Sequence, residues 1–213
     1  MRFRFRGGCA YLRVMQSLFG TYFELGYTHI LDPQAYDHLL FLVALCLPYR
    51  VGAWRAIVLL ATAFTLGHSL TLALVGLELV LLPTAWIEFF IPLTIAATVL
   101  LHFLRARNRP DAPQRVRPGD YLLTAGFGLV HGAGFSTLFR MSAMPDEAGS
   151  VWKQLLAFNL GVEAGQLVII AGILLVSAAA LSLLRLPYRW WLYGVGGVVL
   201  ALSTLLLIET FPL

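Results

Sequence analysis

The sequence predicts an all-α, polytopic integral membrane helix bundle, and three observations carry that expectation. Only 12% of the 213 residues are charged and 59% are hydrophobic, whereas a soluble domain carries roughly 25% charged residues. Six stretches approach or exceed the roughly 20 apolar residues that a helix needs to cross a bilayer. The connectors between them alternate between arginine-bearing and arginine-free. A mean hydropathy of +0.80 agrees. The length fits a single membrane domain over residues 1–213, with an N-terminal amphipathic segment at 1–31 and a transmembrane bundle at 35–208.

In the first segment, Leu12, Met15, Phe19, Tyr22 and Phe23 share one helical face, and Arg13, Gln16, Thr21 and Glu24 share another. That pattern suits an interfacial helix. The basic tip RFRFR favours the cytoplasm and argues instead for a seventh crossing. The N-terminus has a basic start but lacks a long apolar core and a clean cleavage site, so it does not read as a signal peptide.

Six firm crossings are expected near 35–48, 54–77, 84–105, 120–141, 152–184 and 190–208. Arg50 and Arg55, then Arg105, Arg107, Arg109, Arg115 and Arg117, then Arg185 and Arg189 occupy alternate connectors. The positive-inside rule puts all three in the cytoplasm. The other connectors hold Glu78, Asp146 and Glu147 and no Lys or Arg. No internal repeat supports an inverted-repeat transporter. The basic residues form no stripe interleaved with aromatics, which excludes nucleic acid as a partner. Cys9 and Cys46 make neither a disulfide framework nor a thiolate metal site.

Ionisable groups punctuate the apolar runs: Asp37 and His38 in the first crossing, His68 in the second, Glu88 in the third, His131 in the fourth and Glu163 in the fifth. His29 precedes them. Such groups are costly in lipid and mark function or pairing. With the topology above, all six of the intramembrane residues fall in the outer half of the bilayer. Imidazole and carboxylate together ligate zinc, nickel, iron, copper, cobalt and manganese. Seven candidates (His29, Asp37, His38, His68, Glu88, His131 and Glu163) exceed what one ion takes, so a two-ion site is also open. Thr65, Ser69, Asn159 and Gln166 are placed to orient the ligands through hydrogen bonds. Gly128 and Gly132 have GxxxG spacing, which lets two helices approach closely. Each residue also has a plain structural reading. A membrane histidine often only hydrogen-bonds a neighbouring helix, Asp37 suits a helix N-cap, and Glu88 suits an interface. His102 lies beside Arg105, at the wrong depth, and is excluded from the set.

The stretches HILDPQAYDHLLFLVAL, TAFTLGHSLTL, WIEFFIPLTIA, LVHGAGFSTL and FNLGVEAGQL, running from about Gly26 to Leu167, resemble the HupE/UreJ family of bacterial membrane proteins. The resemblance implies a nickel or cobalt permease, or a metal-handling accessory protein, in the bacterial inner membrane, and makes the seven candidates above the positions to test. The His-then-Asp-His element is also similar to the nickel-cobalt transporter signature, with a longer spacing here of seven residues between His29 and Asp37. Three functions are carried forward. The first is metal transport or uptake. The second is a membrane-embedded hydrolase or oxidoreductase that uses metal-bound water or oxygen. The third is a structural or storage metal site. The expected partners are the metal ion and the lipid bilayer, and a homo-oligomer is left open.

Overall fold

The computed structural model describes the backbone of residues 7–33, 36–76, 79–80, 83–142 and 148–212, with side chains described for 18–33, 36–75, 79–80, 83–134 and 152–212. Among the described residues seven α-helices follow one another: α1 (Gly7–Leu31), α2 (Tyr36–Cys46), α3 (Trp54–Gly76), α4 (Thr84–Ala106), α5 (Pro118–Ser142), α6 (Ala148–Ala178) and α7 (Tyr188–Glu209). A short 3₁₀ turn, Val51–Ala53, leads into α3, and a π turn, Ala179–Leu183, ends α6. No strand occurs among the described residues. The ends of α3, α4, α5 and α7 lie within two residues of the expected ones, whereas α6 starts four residues earlier and reaches the expected end only through its π turn.

Four spans among the described residues are long and apolar enough to cross a membrane: Val51–Val75, Thr84–Ala106, Trp152–Leu183 and Tyr188–Glu209. Their outward faces carry the bare leucines expected of lipid contact, such as Leu66, Leu104, Leu175 and Leu205. The chain is an integral membrane protein. The crossing expected at 120–141 corresponds to α5, which has 25 residues. The crossing expected at 35–48 is only the 11-residue α2. At 1.5 Å per residue α2 is about 16 Å long, roughly half the hydrocarbon thickness of about 30 Å.

The first two helices explain that short element. Phe23, Gly26, Tyr27 and Ile30 advance along α1 as Phe158, Gly161, Val162 and Gly165 advance along α6, so the two helices run parallel in direct contact. A Cβ on Gly26 would collide with the Phe158 carbonyl, and one on Gly161 with the Phe23 carbonyl. The glycines therefore set the backbone-to-backbone approach. The next part of α6, with Ile170 and Leu174, joins the core cluster of Leu40–Leu42 and Ala44–Cys46 of α2. End to end, α1 and α2 thus lie along one side of α6. Of the apolar face read on α1, Tyr22 is buried, with Ile30, in a cluster shared with Phe158 and Val162 of α6, while Phe19 is exposed.

A second close pair is α3 with α5, also parallel. Gly67 meets the backbone at Ala125, Gly128 meets Phe64, and Gly132 meets His68. The three arginine-bearing connectors come together at one end of the bundle. There the Pro48 carbonyl accepts hydrogen bonds from the Gln114 N–H (3.0 Å) and the Tyr188 hydroxyl (2.8 Å). Arg105 pairs with Asp120 at 2.6 Å, and Gln114 donates to the His102 carbonyl. The alternation read from the sequence is therefore matched by a shared location of these three connectors.

Candidate metal centre

Among the described residues, one group of metal-ligating side chains converges: His29 of α1, His38 of α2 and His68 of α3, with one ligand atom from each within 4.8 Å of the others. The end of α1 and the start of α2 are brought together by their common packing on α6, so the His29 and His38 rings lie 4.8 Å apart in an edge contact. His68 sits about 21 Å along α3 from Trp54, and His131 sits about 20 Å along α5 from Pro118. Both are therefore deep inside the bundle. His38 and His68 are buried, and His131 is 1% exposed. The His131 ring is 5.6 Å from that of His38 and stands beside the trio.

Hydrogen bonds select which nitrogen each ring presents. Asp37 Oδ1 lies 3.2 Å from His38 Nδ1 and also accepts the His38 backbone N–H at 2.9 Å. An ionised carboxylate only accepts, so this contact favours the tautomer with the proton on Nδ1, and His38 Nε2 is buried without a hydrogen-bond partner. Thr94 Oγ1 donates its only proton to the Ile91 carbonyl at 2.7 Å. Toward His131 Nε2, 3.1 Å away, the Thr94 oxygen must therefore accept. That leaves the His131 Nδ1 lone pair buried and without a partner. Partners of this kind, behind a ligand, are how metal-binding histidines are oriented.

The remaining candidates divide. Glu163 takes a 2.6 Å hydrogen bond from Thr62 on α3, and its Oε2 is buried without a partner. Gln166 accepts from Thr65 at 3.0 Å. Asn159 donates to the Leu155 carbonyl and faces the His68 ring. Ser69 spends its hydroxyl on the Thr65 carbonyl, within its own helix. Glu88 is exposed on α4 and is not brought into the histidine group. His102 lies at the arginine-bearing end against Gln114, at 3.3 Å, as its sequence depth implied.

A family model described as HupE / UreJ protein matches residues 9–210, nearly the whole chain. The chain belongs to the HupE/UreJ family. No curated protein and no solved structure matches it.

Within this HupE/UreJ protein, one turn from the histidines toward the arginine-bearing end, lies an aromatic floor. Phe41 follows His38, Phe64 precedes His68 and Phe127 precedes His131, each by three or four residues. Phe41 and Phe64 meet at 4.6 Å with their rings tilted by 30°, Phe41 meets Phe127 at 6.4 Å, and both Phe41 and Phe64 pack on His131 at 5.2 and 5.1 Å. Phe158 of α6 flanks His29 and His68 on the other side. Sequence reading missed Thr62, Thr94 and this floor. Thr62 was within reach, because Thr62, Thr65 and His68 recur every three residues on α3. Thr94 carries no local signal, since its partner is 37 residues away on another helix.

Proposed function

We propose that this HupE/UreJ protein binds a divalent transition-metal ion, of the nickel or cobalt type, as its transported cargo. The site is formed by His29, His38 and His68, with His131 as the fourth imidazole. The observation that carries this reading is the convergence of three imidazoles from three helices within 4.8 Å. Buried nitrogens without hydrogen-bond partners on His38 and His131 add support, because buried polar groups are normally satisfied and an orphan calls for an explanation. In this reading Asp37 is a positioning residue that acts through His38, and Thr94 does the same through His131. Glu163 and Thr62 form the next polar station, and Glu88 takes no part. The donor set suits one ion.

In the same reading α1 and α2 make up one discontinuous crossing, so that with α3 to α7 the chain crosses the membrane six times, its arginine-bearing end in the cytoplasm of a bacterium. Broken helices that place polar groups near the midplane are a recurring way to build a transport site. The aromatic floor separates the ion from the cytoplasmic side and has to shift for it to pass.

The test is elemental analysis of detergent-purified protein after a mild chelator wash, followed by nickel and cobalt flux in proteoliposomes. Bound ion that is lost in His68→Ala but kept in His102→Ala, together with flux down a gradient, is the expected result. Tight metal without flux would replace transport by a retained centre, and absence of binding by any transition metal would overturn the site.

A further inference from the structure

A cavity of about 300 Å³ opens at the arginine-bearing end, where the entry to α3, the end of α6 and the start of α7 meet; Arg50, Gly52, Ser177, Ser182 and Tyr188 are among its lining residues. It is remote from the histidines, and none of the metal-site residues lines it. Ser177 is only 3% exposed, and its hydroxyl has no partner. That is unusual in this bundle. Ser69 and Ser203 both spend their hydroxyls on the carbonyl one turn back, at 2.6 and 2.7 Å. Ser177, lining the cavity, does not.

The surrounding backbone favours an anion. The 3₁₀ turn that leads α3 begins after Arg50 and has no side-chain cap, and α7 begins after Pro187, also without one. Their first N–H groups and the positive ends of their dipoles therefore face this end of the bundle. The C-terminus of α6 would oppose an anion, but the N–H groups of Leu184 and Leu186 cover the Ala179 and Ala180 carbonyls. Arg185 holds the left-handed conformation (φ 53°) that permits this turn-back. Arg50 supplies a guanidinium at the cavity, with Arg185 in the adjoining connector and Arg189 in the first turn of α7. Asp120, a nearby acid at this end, is already paired with Arg105. Beside the cavity, Leu183, Leu184 and Trp190 are broadly exposed along the outside of the bundle, as an acyl chain and a membrane interface require.

We infer that this cavity binds the phosphate group of an anionic membrane phospholipid, held by Arg50 and the Ser177 hydroxyl. Delipidated protein in a neutral detergent would be titrated with phosphatidylglycerol, with diacylglycerol of the same chains, and with inorganic phosphate, and the bound species read by native mass spectrometry. Retention of phosphatidylglycerol over diacylglycerol by at least tenfold is expected. Arg50→Gln and Ser177→Ala should each reduce it at least threefold, and Arg50→Lys should retain most of it. Arg50 is exposed, so its replacement leaves packing intact, and helical circular dichroism confirms that each variant is folded. Equal retention of diacylglycerol, or variants that bind like the parent, would overturn the site. Inorganic phosphate that binds alone and displaces the lipid would overturn the lipid as its source. None of these outcomes depends on metal binding.

Discussion

At the residue scale, the centre is defined by which nitrogen each imidazole turns inward. In the proposed centre, Asp37 and Thr94 act through His38 and His131, whose Nδ1 and Nε2 they contact at 3.2 and 3.1 Å. Loss of such a partner typically costs 10- to 100-fold in metal affinity. Thr94→Val should therefore weaken metal binding about tenfold, Thr94→Ser should restore it, and ¹⁵N shifts of His131 should report mixed tautomers only in the valine variant. His68→Ala, which removes a ligand outright, should lower bound metal by more than either, measured as ions per chain. Imidazole must be neutral to ligate, so protons and metal compete. Occupancy should be full at neutral pH and be lost on progressive acidification, read by equilibrium dialysis at fixed free metal.

At the element scale, two parallel helix pairs seated on glycine do the positioning. α1 reaches the site only because Gly26, Gly161 and Gly165 let it lie against α6, and α5 brings His131 alongside His68 because Gly128 and Gly132 admit the backbone of α3. Overpacking a core costs about 1–3 kcal/mol, and here the obstacle is backbone, which has little room to yield. Gly161→Val should lower the melting temperature in detergent by several degrees and reduce metal binding through displacement of His29, whereas Gly172→Val, at a glycine with open space around it, should do neither. The periodicity of α1 showed an apolar face but not what covers it, because lipid headgroups and a neighbouring helix leave the same signature in sequence. The short α2 was legible as a brief apolar run ending near Pro48. That it continues the line of α1 was not, since only their common packing on α6 reveals it.

At the scale of the whole molecule, polar and apolar layers succeed one another along the bundle: the histidine layer, the Phe41–Phe64–Phe127 floor, and the connectors latched through Pro48, Gln114 and Tyr188. If the ion moves through, Phe41→Ala should raise nickel or cobalt flux in proteoliposomes several-fold, because the floor loses its central ring while the ligands stay. An unchanged flux would place the path elsewhere. By itself the sequence determined the helical membrane class, the ends of the long helices, the grouping of the arginine connectors and the polar residues worth following, since each of these is a local property of composition, period and charge. Only the tertiary structure decided which of those residues meet. His29, His38 and His68 converge, Glu163 turns to Thr62 and Glu88 faces outward. The reason is physical: period places a side chain on a face of its own helix, but helix rotation and the close approach at glycine determine what that face meets.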